Sequence, residues 1–277
     1  MTDGKIIVIE GTDCSGKETQ SKMLINRLNE EGENTEYFSF PNYASSTGKI
    51  VGLSYLGKGY LADELIASHE SIVEENMKPY IRNSRDRFIM LCTLETVKKA
   101  LQHGWFPETA PNVDALVSSL YYAADRRYNM PYIKSIIASG NNCILDRYVY
   151  SNMAHQGGKI ADSAGRYELY KNIANLEFNT LGLPTPDERI FLHMPTEYAE
   201  LLKSGRAEAA DENEKDINHL KNAEKAYMEI ANLFDFHVIE CVKNISNQPK
   251  LEDIKTKEEI NDEIYEYIKS KKVVKKH

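Results

Sequence analysis

The amino-acid sequence predicts an α/β fold, in which helices cover both faces of a central parallel sheet of about five strands. Short apolar runs rich in β-branched residues indicate strands that are buried on both faces. Helical segments lie between these runs, and a glycine-rich turn follows the first of them. Sheets of this kind bind ligands at the carboxyl ends of their strands. The predicted strands are residues 5–10, 35–40, 142–145, 188–193 and 237–241.

The composition is typical of one large globular domain, or of one domain that carries a sizeable insertion. The chain has 277 residues, of which 42% are hydrophobic and 27% are charged. A formal net charge of -8 argues against a broad nucleic-acid-binding surface. No apolar stretch approaches the length of a membrane-spanning helix, and the apolar run near the start is too short for a signal peptide. We therefore expect a cytoplasmic protein without nucleic-acid or membrane partners.

Two regions lie outside the alternating pattern. Residues 58–112 contain helix-like stretches but no good strand, which predicts a helical insertion. Residues 243–277 begin as a polar segment and continue as an amphipathic pattern, which predicts a C-terminal helix with Ile260, Ile264, Tyr267 and Ile268 on one face. Residues 1–242 are then the main domain, interrupted by the insertion.

A phosphate-binding loop is predicted directly after the first strand. Residues 11–17 read GTDCSGK and fit the pattern G-x-x-x-x-G-K between a predicted strand and a predicted helix. Glycines allow backbone N–H groups to close around phosphate oxygens, and Lys17 can reach the β- and γ-phosphates of a nucleotide. An ordinary glycine turn is the alternative interpretation. The motif predicts a P-loop three-layer fold that binds ATP through Gly11, Thr12, Asp13, Cys14, Ser15, Gly16, Lys17, Glu18 and Thr19.

The residue after Lys17 departs from the usual motif, which places a Ser or Thr hydroxyl on Mg²⁺ at this position. Here the residue is Glu18. Its carboxylate could hold Mg²⁺ directly or through water, or the hydroxyl of Thr19 could do so one position later. Alternatively, Glu18 only stabilises the first turn of the helix. Mg²⁺ is the expected cofactor, and these three interpretations stay open.

A second group of candidate residues follows the third predicted strand. Asp146, Arg147 and Tyr148 emerge at the carboxyl end of that strand, near the phosphate loop if the two strands are neighbours. The carboxylate of Asp146 can orient Mg²⁺ or its waters, and the planar guanidinium of Arg147 can bind a phosphate. A buried structural ion pair is the alternative.

Several motifs in one order resemble those of the thymidylate kinase family, within the nucleoside monophosphate kinase group. They are the phosphate loop at 11–20, F-P at 40–41, Y-A-A-D-R at 122–126, D-R-Y-V-Y-S-N-M-A-H-Q-G at 146–157 and G-L-P-T-P-D at 182–187. The resemblance covers residues 1–57 and 113–242. It implies transfer of the γ-phosphoryl group of ATP to dTMP, giving dTDP and ADP, and it implies a homodimer. The alternatives are a kinase for another nucleoside monophosphate and a nucleotide-binding protein without efficient turnover.

The resemblance also implies a role for each matching residue. Tyr122 would stack on the thymine ring, Arg126 and Arg147 would hold the base edge and the acceptor phosphate, and Gln156 would line the base pocket. Asp13 would lie near the sugar hydroxyl and the acceptor phosphate. His155 replaces an aromatic residue beside the sugar, and Tyr43 follows the F-P turn where the family often has an arginine. The expected substrate-binding residues are Phe40, Pro41, Tyr122, Arg126, Asp146, Arg147, Tyr148, Ser151, His155 and Gln156.

A strongly charged segment at residues 203–216 lies where related kinases have a mobile lid. The phosphate loop has no arginine at residues 12–15, so a lid cation would stabilise the transferring phosphoryl group. Arg206 is the candidate, with Lys203 and Lys215 behind it, and a solvated charge run is the alternative. Because the acceptor phosphate is itself the nucleophile, catalysis would depend on positioning and charge neutralisation by Lys17, Asp13, Arg147, Arg206 and Mg²⁺.

Overall fold

The computed structural model describes residues 4–58, 60–61, 82–85, 110–203, 217–246 and 248–273. All five predicted strands are present, and every neighbouring pair is parallel, in the order β2-β3-β1-β4-β5. The fold class predicted from the apolar runs is therefore confirmed. The strands are β1 (Ile6–Gly11), β2 (Thr35–Ser39), β3 (Asn142–Asp146), β4 (Glu188–His193) and β5 (His237–Glu240).

Helices connect the strands, as the sequence predicts. The α-helices are α1 (Lys17–Glu30), α2 (Ser46–Lys49), α3 (Ala115–Ala138), α4 (Val149–Gly157), α5 (Ser163–Ala174), α6 (Thr196–Lys203), α7 (Ile217–Leu233) and α8 (Lys257–Val273). The described residues also contain two π-helical turns (Ile50–Tyr55 and Asn175–Thr180) and two 3₁₀ turns (Ala110–Asn112 and Leu251–Asp253). None of the helices in the described ranges is long and apolar enough to span a bilayer.

The alternation of side chains along the strands creates three layers. In β1, Ile6 and Val8 pack into one hydrophobic cluster, whereas Ile7 and Ile9 pack into another. The first cluster is formed with α3, α4, α5 and α7, and the second with α1, α6 and α8. Both faces of the central strand β1 are thus buried, which explains why its sequence is a continuous apolar run.

The predicted C-terminal helix is confirmed as α8. Its isoleucines at four-residue spacing, Ile260, Ile264 and Ile268, are buried in the second cluster. The helix also contacts α1 through polar groups, because Gln20 Nε2 donates to Lys257 O at 2.9 Å and Asn261 Nδ2 donates to Gln20 Oε1 at 3.1 Å. This C-terminal segment therefore packs on the helix that follows the phosphate loop. Most of the predicted insertion, residues 62–81 and 86–109, lies outside the described residues, and its helical character stays a prediction.

The sheet order brings the two predicted halves of the site together. β1 and β3 are neighbours, with Ile9 opposite Asp146 in the parallel register. The backbone N–H of Arg147 donates to Ile9 O at 3.1 Å, which extends the pairing past the end of β3. The phosphate loop and the segment after Asp146 therefore leave the same edge of the sheet side by side.

Candidate active site

The phosphate loop is a tight turn between β1 and α1. A Cβ atom at Gly11 would lie 2.8 Å from Leu192 O, and Gly16 has a φ of +75°, so both positions require glycine. The hydroxyl of Thr12 donates to Met194 O at 2.7 Å and accepts from Met194 N at 2.8 Å. These bonds fix the loop to the end of β4, and the N-terminus of α1 adds partial positive charge for an anion.

Lys17, the first residue of α1, lies along the inside of this loop. Its Nζ donates to Gly11 O at 3.0 Å and to Thr12 O at 2.9 Å, and the side chain is buried. Burial, followed by repulsion from the charge of Arg147, lowers the pKa of Lys17 to about 8. An arriving phosphate would offset both effects, so the site favours an anionic ligand.

Two cavities meet at this edge of the sheet. The phosphate cavity, of about 650 Å³, opens in front of the loop, and the acceptor cavity, of about 150 Å³, lies between α3 and α4. The phosphate cavity is lined by Asp13, Cys14, Gly16, Lys17, Glu18, Thr19, Tyr37, Phe38, Ser39, Phe40, Pro41, Asn42, Tyr43, Asp146 and Arg147. The acceptor cavity is lined by Asp13, Phe40, Pro41, Tyr43, Leu56, Lys58, Tyr122, Arg126, Arg147, Tyr148, Ser151, Asn152, His155 and Leu220.

Asp13 and Arg147 belong to both cavities and mark their junction. Burial alone would raise the pKa of the Asp13 carboxyl, but the charges of Lys17 and Arg147 outweigh it and hold that pKa below its usual value. Lys203 Nζ, from the end of α6, lies 3.4 Å from Asp13 Oδ2. The junction therefore places one carboxylate among three cations, Lys17, Arg147 and Lys203.

Asp146 lines the phosphate cavity, and its two carboxylate oxygens have different environments. The hydroxyl of Tyr37 donates to Asp146 Oδ2 at 2.9 Å. Burial and the charge of Asp146 raise the pKa of Tyr37 above its ordinary value, so the phenol stays a donor. Asp146 Oδ1 is buried and has no hydrogen-bond partner within the described ranges. An orphaned carboxylate oxygen of this kind fits a divalent cation or its bound water.

Most of the chain is similar to one known family, because a sequence model described as thymidylate kinase matches residues 9–70 and 95–258. The chain belongs to the thymidylate kinase family. The thymidylate kinase of Schizosaccharomyces pombe is 25% identical over 229 residues, covering 82% of this chain and 80% of that protein. That of Plasmodium falciparum is 26% identical over 258 residues, covering 92% and 89%. The solved structure of thymidylate kinase from Candida albicans has the same fold, with a TM-score of 0.61 at 19% identity over 98% of this chain and 93% of that chain.

In this member of the thymidylate kinase family, Arg126 is held by a buried ion pair that the sequence did not predict. The guanidinium of Arg126 forms a two-pronged contact with the carboxylate of Glu177, including Nη2 to Oε1 at 2.6 Å. A third nitrogen donates to Tyr148 O at 3.3 Å. Glu177 lies in the π-helical turn after α5, and nothing in its local sequence indicates this partner. Arg126 is thereby fixed in the wall of the acceptor cavity.

Glu10 is a second residue that sequence reasoning missed. It ends the apolar run of β1, and its buried carboxylate accepts from Tyr148 N at 2.7 Å and Ser151 N at 3.0 Å. The hydroxyl of Ser151 donates to the same carboxylate. Burial raises the pKa of Glu10, while these bonds satisfy the N-terminus of α4. A carboxylate at the end of a buried strand was a signal for such a role.

The acceptor cavity combines an aromatic wall with a few polar groups. Tyr122 and Asn152 line it, and Asn152 Oδ1 is buried without a hydrogen-bond partner among residues whose positions are described. Gln156, which was predicted to line the base pocket, lies one turn further along α4, is fully buried and lines neither of the two cavities. Of these two side-chain amides of α4, the one that lines the acceptor cavity is that of Asn152.

His155 lines the acceptor cavity and pairs with a second histidine. Its ring stacks on His219 at 5.5 Å between centroids, with His155 Nδ1 3.3 Å from His219 Nε2. Burial, then the nearby His219 and Arg147, keep the pKa of His155 well below its usual value, so the ring is neutral. It can therefore offer a hydrogen bond but no charge to a ligand.

Glu18 and Thr19 both line the phosphate cavity, so either could hold Mg²⁺, and the alternative that Glu18 only stabilises the first turn of the helix also stays open. The Glu18 carboxylate forms an exposed ion pair with Lys22 at 2.5 Å, one helical turn away. This pair leaves Glu18 on the surface of α1. Of the predicted lid at 203–216, only Lys203 is described, and Arg206 and Lys215 lie outside the described residues.

Proposed function

We propose that this chain is a thymidylate kinase that transfers the γ-phosphoryl group of ATP to dTMP, giving dTDP and ADP. One observation carries the proposal: a phosphate cavity and an aromatic-walled acceptor cavity meet at Asp13 and Arg147. Two phosphates that enter from opposite sides meet end to end at this point. Proximity and alignment of this kind account for much of the rate in phosphoryl transfer.

ATP binds through the phosphate loop and Lys17, and Mg²⁺ accompanies it. We assign Asp146 Oδ1 to the metal or its bound water, because this buried oxygen has no other hydrogen-bond partner in the described part of the chain. Tyr37 holds the other oxygen of Asp146 and so fixes the direction of Oδ1. Glu18 or Thr19 completes the metal environment. When bound, Mg²⁺ neutralises charge on the phosphates of ATP.

The acceptor nucleotide occupies the cavity between α3 and α4. Tyr122 stacks on the base, and Arg126 and Asn152 lie at its polar edge. The acceptor phosphate lies against Arg147, with Asp13 beside the sugar. Since this phosphate is already an anion, it attacks without a general base. Lys17, Arg147 and a lid cation, for which we keep Arg206, neutralise the charge that moves from donor to acceptor.

The test is an ADP-release assay with ATP and Mg²⁺ against dTMP, dUMP, dGMP, dAMP, dCMP, UMP and AMP. We expect kcat/KM to be highest for dTMP, and about 10- to 200-fold higher than for dUMP, which lacks one methyl group. Preference for another acceptor would assign the altered specificity to Tyr43 and His155. Absence of product with every acceptor, while ATP still binds, would favour a nucleotide-binding role instead.

We also propose a homodimer formed through the outer face of α3. Large apolar side chains are exposed there at intervals of four, eight and four residues: Leu116 at 53%, Leu120 at 50%, Tyr128 at 58% and Tyr132 at 53%. A two-fold axis would place this stripe against its copy. Leu120→Glu is expected to halve the mass measured by light scattering without changing the circular dichroism spectrum, while exposed Lys171→Glu keeps the wild-type mass. A monomeric wild type would reject the interface.

A further inference from the structure

Lys159 lies two residues beyond the end of α4 and binds oxygens from separate parts of the chain. Its Nζ donates to Val113 O at 2.7 Å, Ala110 O at 2.8 Å and Ser118 Oγ at 3.1 Å. The hydroxyl of Tyr55 lies 3.3 Å away. One ammonium group therefore connects α4 to the start of α3, to the 3₁₀ turn before it and to the π-helical turn that contains Tyr55.

These contacts surround the wall of the acceptor cavity that lies opposite α4. We call this the outer wall and define it as Tyr43, Leu56 and Tyr122, which line the cavity and belong to one hydrophobic cluster with Tyr55. The Tyr55 ring meets the Tyr122 ring edge to face, with centroids 5.6 Å apart and planes at 88°. Tyr55 itself is buried, and its hydroxyl donates to Ala110 O at 3.1 Å.

We infer that Lys159 is a positioning residue for the acceptor: through Tyr55 and the carbonyls of residues 110 and 113, it fixes the orientation of Tyr122, the base-stacking face of the acceptor cavity. Lys159 does not line that cavity, so its effect passes through the outer wall. The inference rests on the proposed function only for the identity of the base. The connection between Lys159 and Tyr122 is a property of the unliganded protein.

The environment of Lys159 supports an organising role. Burial lowers the pKa of Lys159 to about 8, and the nearby carboxylate of Asp114 only partly opposes this shift. A lysine on an open surface would keep its charge in water at no such cost. Here hydrogen bonds to carbonyl and hydroxyl oxygens stabilise the buried ammonium group. A hydrophobic side chain of similar length would leave these oxygens without a donor.

The test is a double-mutant cycle between Lys159→Met and Tyr122→Ala. Tyr122→Ala removes the aromatic ring on which the base stacks. We expect this variant to raise KM for dTMP about tenfold or more. Lys159→Met alone should raise it about threefold to tenfold, with kcat and KM for ATP unchanged. In the Tyr122→Ala background, Lys159→Met should have no further effect, because the same contact is already lost. Additive effects would overturn the inference.

Two further variants separate positioning from general folding. Lys159→Arg retains the charge and should keep KM for dTMP within about twofold of wild type, even if Lys159→Met fails to fold. Lys225→Met removes an exposed lysine on α7 that borders the same surface pocket as Lys159, and it should leave both KM values unchanged. A Lys159→Arg enzyme with the full defect of Tyr122→Ala would contradict the positioning role.

Amide hydrogen exchange in the absence of nucleotide makes the inference independent of the reaction. Lys159→Met should accelerate exchange in residues 110–118 and around Tyr55 while leaving the strands protected. Unchanged exchange in these segments would reject the inference even in an active kinase. Conversely, absence of dTMP phosphorylation by the wild type, together with accelerated exchange in Lys159→Met, would reject the proposed function and leave the positioning role in place.

Discussion

Lys17→Ala is expected to lower kcat for ADP formation with dTMP by about 100- to 1000-fold, the usual cost of losing one preorganised charge contact to a transition state. The structure explains the size of this effect. Lys17 Nζ already lies against Gly11 O and Thr12 O inside the phosphate loop. It therefore needs little rearrangement to contact a transferring phosphoryl group. Alanine removes the charge but leaves the glycine turns that shape the loop.

Lys22→Ala is the matched control, because Lys22 lies on the same helix but is exposed and paired with Glu18. It should keep wild-type kcat and KM for ATP. Lys22→Ala should unfold near the wild-type temperature, since it removes no apolar contact from the core. Lys17→Ala should be at least as stable as wild type at pH 7, because the lowered pKa of Lys17 means that its buried charge costs stability. Phosphoryl transfer by Lys17→Ala at the wild-type rate would remove Lys17 from the mechanism.

The pH dependence of stability and of KM for ATP gives a second test of Lys17→Ala. The pKa of Lys17 is lowered to about 8 from an ordinary value of 10.5. Between these values the unfolded chain binds the proton and the folded chain does not, so this group makes the free energy of unfolding rise with pH. KM for ATP should rise over the same interval, because the charged form binds phosphate. Lys17→Ala should lose this part of both pH profiles.

The sheet and the charged centre of the site could be predicted because their signals are local. Each strand is a short segment that is apolar or, like β2, alternating, and Lys17, Asp146 and Arg147 belong to short motifs at strand ends. The supporting residues depend on partners far along the chain: Glu10 meets Ser151 across 141 positions, and Glu177 meets Arg126 across 51. A carboxylate in an apolar strand, such as Glu10, signals a structural role, but a single sequence does not identify the partner.

The assignment of Gln156 shows a second limit of sequence reasoning. Asn152 and Gln156 are four residues apart on α4, so they lie on the same face of that helix. Helical periodicity alone cannot show which turn faces the cavity, because this depends on where the helix begins. Glu10 fixes that start by binding the backbone N–H groups of Tyr148 and Ser151. The position of α4 relative to the cavity therefore depends on a contact that the motif does not contain.

Glu177→Leu is expected to lower the free energy of unfolding by about 3–5 kcal/mol, because it leaves the guanidinium of Arg126 buried without its counter-charge. The side chains of both partners are almost fully buried, at 3% and 0% exposure. Urea unfolding measures this loss. Glu229→Leu is the matched control, because Glu229 pairs with Arg166 through a similar contact but is 29% exposed. Its effect should be smaller, because Arg166 keeps its hydrogen bonds to Ile160 O at 3.0 Å and Ala161 O at 2.7 Å, and water can enter at the partly exposed position of Glu229.

The double variant Arg126→Met with Glu177→Leu separates stability from acceptor binding. Replacing both charges with apolar side chains should restore most of the lost stability, as buried ion pairs commonly tolerate such replacement. KM for dTMP should nevertheless stay at least about tenfold above wild type, because the base loses a cationic donor in the cavity wall. The matching double variant, Arg166→Met with Glu229→Leu, should leave KM for dTMP unchanged. Wild-type KM in the Arg126 double variant would mean that this arginine serves the core and not the substrate. Recovered stability with impaired dTMP binding would instead show that the ion pair holds a recognition group in place, at a position where the fold alone does not need a charge.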